Sequence, residues 1–146
     1  MYKHILISTD GSDVARKGVD HGLPLAKSVG ARLTIVMVTE RWPVYAGPEW
    51  MPGPTETAQY EARQKDAAMT VLAEVKAAAD RLGVDAEAVH VPDAQPAEAI
   101  IATANKRQCN LIVMASHGRR GLRRLLLGSQ TAEVVVSSAV PVLVVR

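Results

Sequence analysis

Short blocks of apolar and β-branched residues alternate along the chain with longer stretches whose apolar positions recur every three or four residues. His4-Ile5-Leu6-Ile7-Ser8-Thr9 is the first block, and its abrupt end in Asp10-Gly11-Ser12 marks a buried strand followed by a helix start. Ala15, Gly18, Gly22, Leu25 and Val29 then define one face of a helix that Gly30 closes as a left-handed cap. Leu33 to Val38 is apolar almost throughout, as expected of a strand covered on both faces, and it completes a βαβ unit. A second helix carries Ala62, Met69, Leu72, Val75, Ala79 and Leu82 on one face and stops at Gly83. Ala86 to Val91 predicts a third strand. Pro96 suits the first position of a helix that runs to Lys106 with Ile100, Ile101 and Ala104 inward. Leu111 to Ala115 predicts the fourth strand, Gly128-Ser129 the start of a fourth helix, and Val142 to Val145 a fifth strand, which Pro141 assigns to a sheet edge.

Strands alternating with helices predict an α/β fold: a doubly wound five-stranded parallel sheet of order 3-2-1-4-5, Rossmann-like, with helices on both faces and one domain over residues 1–146. In such sheets ligands bind beyond the carboxyl ends of the strands where the order reverses, here between strands one and four. Function is therefore sought in Ser8-Thr9-Asp10-Gly11 and in Ala115 through Ser129. The segment from Glu40 to Thr57 breaks the pattern. It holds Trp42, Trp50, Tyr45 and four prolines (Pro43, Pro48, Pro52, Pro54), and is expected to lack regular structure and to serve as a lid, a partner contact or local packing.

Composition narrows the class. At 146 residues, 48% hydrophobic and 22% charged, the chain is long enough to bury a core without staples. Its apolar runs are too short to span a bilayer, its start lacks the apolar core of a secretory leader, and the lone Cys109 reads as a small buried residue in a reducing compartment. Cytoplasm is the expected address, with no membrane partner. Seventeen Lys and Arg against fifteen Asp and Glu leave a net charge of +2, so attraction for anions rests on local clusters. Arg119, Arg120, Arg123 and Arg124 form one, but 3% aromatic residues leave few stacking platforms, so a solvated face or phosphate contacts are expected and a nucleic-acid partner is not. The four histidines lack His-x-x-x-His spacing, and no metal is expected to be held by protein ligands alone.

Ala115-Ser116-His117-Gly118-Arg119-Arg120-Gly121 through Leu127-Gly128-Ser129 reads as strand, Gly-rich basic loop and helix start, an order that suits a phosphate. Gly118 and Gly128 admit close backbone approach, Ser129 offers a hydroxyl, and the first amides of the helix carry partial positive charge. Asp10, at the end of the neighbouring strand, is suited to a ribose hydroxyl or to Mg²⁺, and equally to capping the first helix. No Lys follows Gly128 as in a Walker loop, and the first strand turns through Asp-Gly-Ser rather than G-x-G-x-x-G.

Gly118, nine intervening residues and Gly128-Ser129 resemble the ATP-binding motif G-x2-G-x9-G-[S/T] of the universal stress protein family. The resemblance extends over nearly the whole chain through the initial strand ending in Asp-Gly-Ser, the Pro-Ala-Glu helix start and the terminal Pro-Val-Leu-Val-Val strand. It implies that Asp10 and Val38 line an adenosine pocket, that Met114 and His117 border it, and that Gly118, Gly128, Ser129 and Gln130 surround the phosphates. Ser8, Thr9, Ala115, Arg119 and Thr131 complete the candidate cofactor-binding set. The implied ligand is ATP with Mg²⁺ as counter-ion near Asp10 and Ser129. The implied assembly is a homodimer through the edge strand 140–145, whose nucleotide occupancy protein partners read. Two positions depart from the pattern: Ala115 stands at the motif's first glycine and Ala94 where glycine is frequent. A Cβ at Ala115 that narrows the pocket would instead make the chain a dimeric scaffold or chaperone-like protein without nucleotide. With no P-loop lysine to stabilise a leaving phosphate, binding rather than turnover is expected, slow hydrolysis being the remaining alternative.

Overall fold

The computed structural model describes residues 1–41, 51–118 and 126–146. Its elements run β1 (His4–Ser8), α1 (Asp13–Val29), β2 (Arg32–Val38), α2 (Pro54–Arg81), β3 (Ala86–Val91), α3 (Pro96–Lys106), β4 (Leu111–Ala115), α4 (Ser129–Ser137) and β5 (Val142–Val145). The strands form one sheet of order β3-β2-β1-β4-β5, every pairing parallel, as the alternation of periods predicts. β5 is an edge strand, as Pro141 indicates.

Side-chain alternation divides the core between the two faces. Ile5, Ile7, Leu33, Ile35, Leu111 and Val113 pack with Val19 and Leu23 of α1 and Leu72 of α2. Leu6, Val36, Ile112 and Met114 pack with Ala97 and Ile100 of α3 and Val134 of α4. The chain thus winds β1-α1-β2-α2-β3 over one face and returns through α3 and α4 over the other, so the connections leaving β1 and β4 part to opposite sides. α1 lies close because two of its sheet-facing positions, Gly18 and Gly22, are glycines. A Cβ on Gly18 would stand 2.9 Å from the Ala115 amide nitrogen, and one on Gly22 would stand 2.6 Å from Ile7 Cδ1.

Three local expectations need correction. Gly30 does cap α1 at φ 68°, but that helix's buried face is Ala15, Gly18, Val19, Gly22, Leu23 and Ala26, while Val29 is exposed in the last turn. On α2 the buried residues are Ala68, Leu72 and Ala79, and Ala62, Met69 and Leu82 face solvent. At 3.6 residues per turn, Ala62 and Met69 lie roughly a quarter turn or more from the Ala68–Leu72–Ala79 line. The irregular segment also ends earlier than Thr57. Pro54 is the first residue of α2, and the Gly53 amide donates to Glu56 Oε2 at 2.8 Å, which caps the helix start. Residues 42–50, with both tryptophans, lie outside the described residues.

At the amino ends of the strands, His4 is buried and its Nε2 lies 2.8 Å from Thr34 Oγ1. That hydroxyl donates to Glu87 Oε1 at 2.9 Å, so the imidazole is the donor in the first bond. Burial, followed by the nearby Arg32 guanidinium, holds His4 below the usual histidine range, and burial followed by Lys65 does the same to His90. The folded state therefore binds fewer protons than the unfolded chain as pH falls through the unfolded histidine value near 6.5. Stability is expected to be constant above that pH and to decline below it until the folded values are reached. Urea midpoints at pH 7.5 and 5.5 test this, and His4→Gln is expected to reduce the difference. A midpoint unchanged between the two pH values would contradict the assignment.

Candidate functional site

The turn after β1 is set by its own polar groups. Thr9 N donates to Val36 O at 3.0 Å, which carries the strand one residue past its formal end along β2. Asp10 Oδ1 then accepts from Ser12 N at 2.9 Å, and Gly11 takes φ 81°, a left-handed conformation that favours glycine. Ser12, not Asp10, is the N-cap of α1, and its Oγ accepts from Ala15 N at 3.2 Å. Asp10 is thereby committed to shaping the turn with one oxygen, while Oδ2 lies toward β4: a Cβ on Gly118 would stand 2.7 Å from it.

The segment after β4 is pinned where it leaves and where it returns. Ser116 N donates to Val145 O, and Gly128 N donates back to Ser116 O, both at 2.8 Å. Thr131 Oγ1 donates to Ala115 O at 3.0 Å and fixes the first turn of α4 against the end of β4. Gly128 has ordinary dihedrals, φ −58° and ψ 152°, so space accounts for the glycine: a Cβ there would sit 3.3 Å from Ser116 O. The first repeating bond of α4 is Ala132 N to Gly128 O at 2.9 Å. The amides of Ser129, Gln130 and Thr131 therefore have no intrahelical acceptor and present a partial positive charge. The Gln130 side chain is used elsewhere, its Oε1 accepting from Ala97 N at 3.0 Å at the start of α3. His117 Nδ1 lies 3.1 Å from Ser116 Oγ.

These two turns face each other across a cavity of about 350 Å³. Ser8, Thr9, Asp10, Val38, Met114, Ala115, His117, Gly118, Gly128, Ser129, Gln130 and Thr131 all line it. Of the predicted site residues, Arg119 falls outside the described residues, as do Arg120, Gly121, Arg123 and Arg124. The structure adds Ala15, Thr39, Glu40, Tyr60, Gln64, Pro96 and Ile100 to the lining, along with Val36 and Met37. Most of these come from α1, α2 and α3, which meet the cavity only through tertiary packing. Pro96 and Ile100 had a signal as the opening turn of a helix that follows a strand's carboxyl end. Tyr60 and Gln64, one helical turn apart, had none stronger than that spacing.

Neither departure from the family pattern blocks the cavity. Ala115 is a strand residue with no positive φ, and alternation puts its methyl on the α1 side with Leu111 and Val113, opposite Met114. Ala94 does not line the cavity: its amide donates to Thr39 O at 3.2 Å, and the left-handed conformation in that turn belongs to Asp93, φ 58°.

The family model described as "Universal stress protein family" matches residues 1–146. The chain belongs to the universal stress protein family. Among curated universal stress proteins, MJ0531 of Methanocaldococcus jannaschii is 33% identical over 146 residues, covering 100% of this chain and 83% of that protein. YxiE of Bacillus subtilis is 33% identical over 152 residues and covered in full on both sides. The solved structure of M. jannaschii MJ0577, determined to assign its biochemical function, superposes with a TM-score of 0.82 at 27% identity, covering 99% of this chain and 96% of that one. A universal stress protein solved in complex with cAMP superposes with a TM-score of 0.71 at 25% identity, over 99% of this chain and 97% of that one.

Proposed function

We propose that this universal stress protein binds ATP with Mg²⁺ at the mouth between β1 and β4, and that occupancy rather than turnover is its output. One observation carries the reading: the Asp10 carboxylate, its neighbour Gly118 and the amide-bearing start of α4 line one cavity, so anion-seeking and hydroxyl-seeking groups converge there. Laid across this mouth, phosphates meet the free amides of Ser129, Gln130 and Thr131, the ribose meets Asp10, and the base lies over β2 among Val38, Ile100 and Met114. The complex of a family relative with cAMP supports an adenine nucleotide as the ligand class. Among the described residues the charged lining groups are Asp10 and Glu40, so a polyphosphate bound beside them needs a divalent counter-ion.

The protein acts as one domain over 1–146 and as a cytoplasmic homodimer paired through β5. Val142 to Val145 is a half-buried edge strand, and Val136 on adjacent α4 is 84% exposed, a surface that a second copy would cover. Titration calorimetry with ATP and Mg²⁺, preceded by acid release of any copurified nucleotide, tests the central claim. Binding in the micromolar range, about −8 kcal/mol, is the expected result. A folded protein that gives no heat and carries no nucleotide overturns it.

A further inference from the structure

We infer that the first half of α2, residues 54–67, is the element that registers occupancy: it is ordered by what fills the cavity, whereas the second half is ordered by the core. This rests on the nucleotide reading above. α2 spans 28 residues, against 17 in α1 on the same face of the sheet. Its buried residues are Ala68, Leu72 and Ala79, and Val71, Val75 and Ala78 pack on the core beside them. Residues 54–67 bury none, and among the described residues none of them enters the core on either face. They make about 21 Å of helix at 1.5 Å per residue, a length that is marginal in water without packing.

The half-buried positions of this segment are Thr57, Tyr60 and Gln64, whose spacing of three and four continues the Ala68 face past the sheet. Tyr60 and Gln64 line the cavity. Tyr60 makes a further interaction, while the other side-chain hydrogen bonds of the segment close on the helix itself. Glu56 and Thr57 engage Gly53 at the helix start, and Asp66 O accepts from Thr70 Oγ1 at 3.0 Å. The core therefore supports α2 from Ala68 onward, and a ligand in the cavity of about 350 Å³ supplies the matching support before it. A ligand that binds the ordered segment and not the frayed one stabilises it by mass action, and its affinity falls with the fraction that is frayed. The outer face of the segment, with Ala58 and Ala62 exposed, carries that order to the surface where a partner meets it.

Hydrogen exchange read by mass spectrometry, with calorimetry on the same sample, gives the test. Without nucleotide, residues 60–67 are expected to exchange at least about tenfold faster than residues 72–79. Saturating ATP with Mg²⁺ is expected to slow exchange in 60–67 by about tenfold or more and to leave 72–79 unchanged. Glycine weakens a helix in either half, so the property that changes shows what each half is coupled to. Ala58→Gly combined with Ala62→Gly alters no residue of the cavity lining, and is expected to weaken ATP binding about fivefold at a native thermal midpoint. Ala73→Gly combined with Ala77→Gly, at exposed positions in the core-held half, is expected to lower the midpoint and keep the affinity. Equal protection of the two halves without nucleotide, or bound ATP that leaves 60–67 unchanged, overturns the inference while leaving nucleotide binding in place. A folded protein that binds no ATP overturns the nucleotide reading itself, and this inference with it.

Discussion

Gly118→Val is expected to weaken ATP binding by roughly a hundredfold, close to 3 kcal/mol, the scale of one or two charge-assisted hydrogen bonds. Gly118 is exposed and has no positive φ, so valine meets no backbone strain there and the fold should remain intact. The obstacle is across the cleft: the new Cβ would stand 2.7 Å from Asp10 Oδ2. Asp10 cannot retreat freely, since its other oxygen holds Ser12 N at 2.9 Å and that bond shapes the turn ahead of α1. The substitution therefore acts on both walls at once, filling the space for the phosphates and displacing the carboxylate assigned to the ribose. Calorimetry on the variant checks the loss, with the thermal midpoint as control. If the two residues act through each other, Gly118→Val should cost much less in an Asp10→Ala background. A folded Gly118→Val protein with native affinity would exclude a phosphate site at this glycine.

Gly18→Val has the largest expected effect on stability, a net loss of about 2 kcal/mol, within the usual range for overpacking a close contact. The added Cβ would meet backbone at Ala115 N and Met114 C, at 2.9 and 3.2 Å, and strand backbone yields less readily than a side chain. Gly22→Ala is the comparison. Its Cβ would meet the terminal methyl of Ile7 at 2.6 Å, which a rotamer change can relieve, and alanine recovers up to about 1 kcal/mol of helix propensity. Urea unfolding is expected to rank Gly18→Val well below Gly22→Ala. A Gly18→Val midpoint equal to wild type would mean that α1 and β4 separate without cost. Because Gly18 bears on the last residue of β4, its substitution should also lower ATP affinity, although it does not line the cavity.

The strand order was legible because each β-branched block is followed by a helical period, and parallel strands joined by helices leave few topologies. The walls contributed by β1, β4 and the start of α4 were legible for the same reason: they are strand ends and a helix start, positions that local sequence defines. Gln64 and Tyr60 were not. Their place depends on how far α2 runs past the sheet, which follows from Pro54 and Glu56 starting the helix early within a segment whose prolines read as loop. The cap of α1 was left open because Asp10 and Ser12 are both good capping types, and only the Asx turn made by Asp10 shows which oxygen reaches the helix amides. The Gln130 side chain reaches α3, a contact between helices far apart in sequence that no local pattern encodes, while the residue itself lines the cavity.

The bond from Gly128 N to Ser116 O brings the chain back to the point where it left the sheet. The entropy of closing such a loop grows only with the logarithm of its length, so doubling the span between these residues would cost only about 0.6 kcal/mol. The Gly128–Ser116 bond is thus a clasp that sets the β4–α4 junction by itself, and a change in the number of residues between its two ends is expected to leave that junction, and the core behind it, thermodynamically almost untouched.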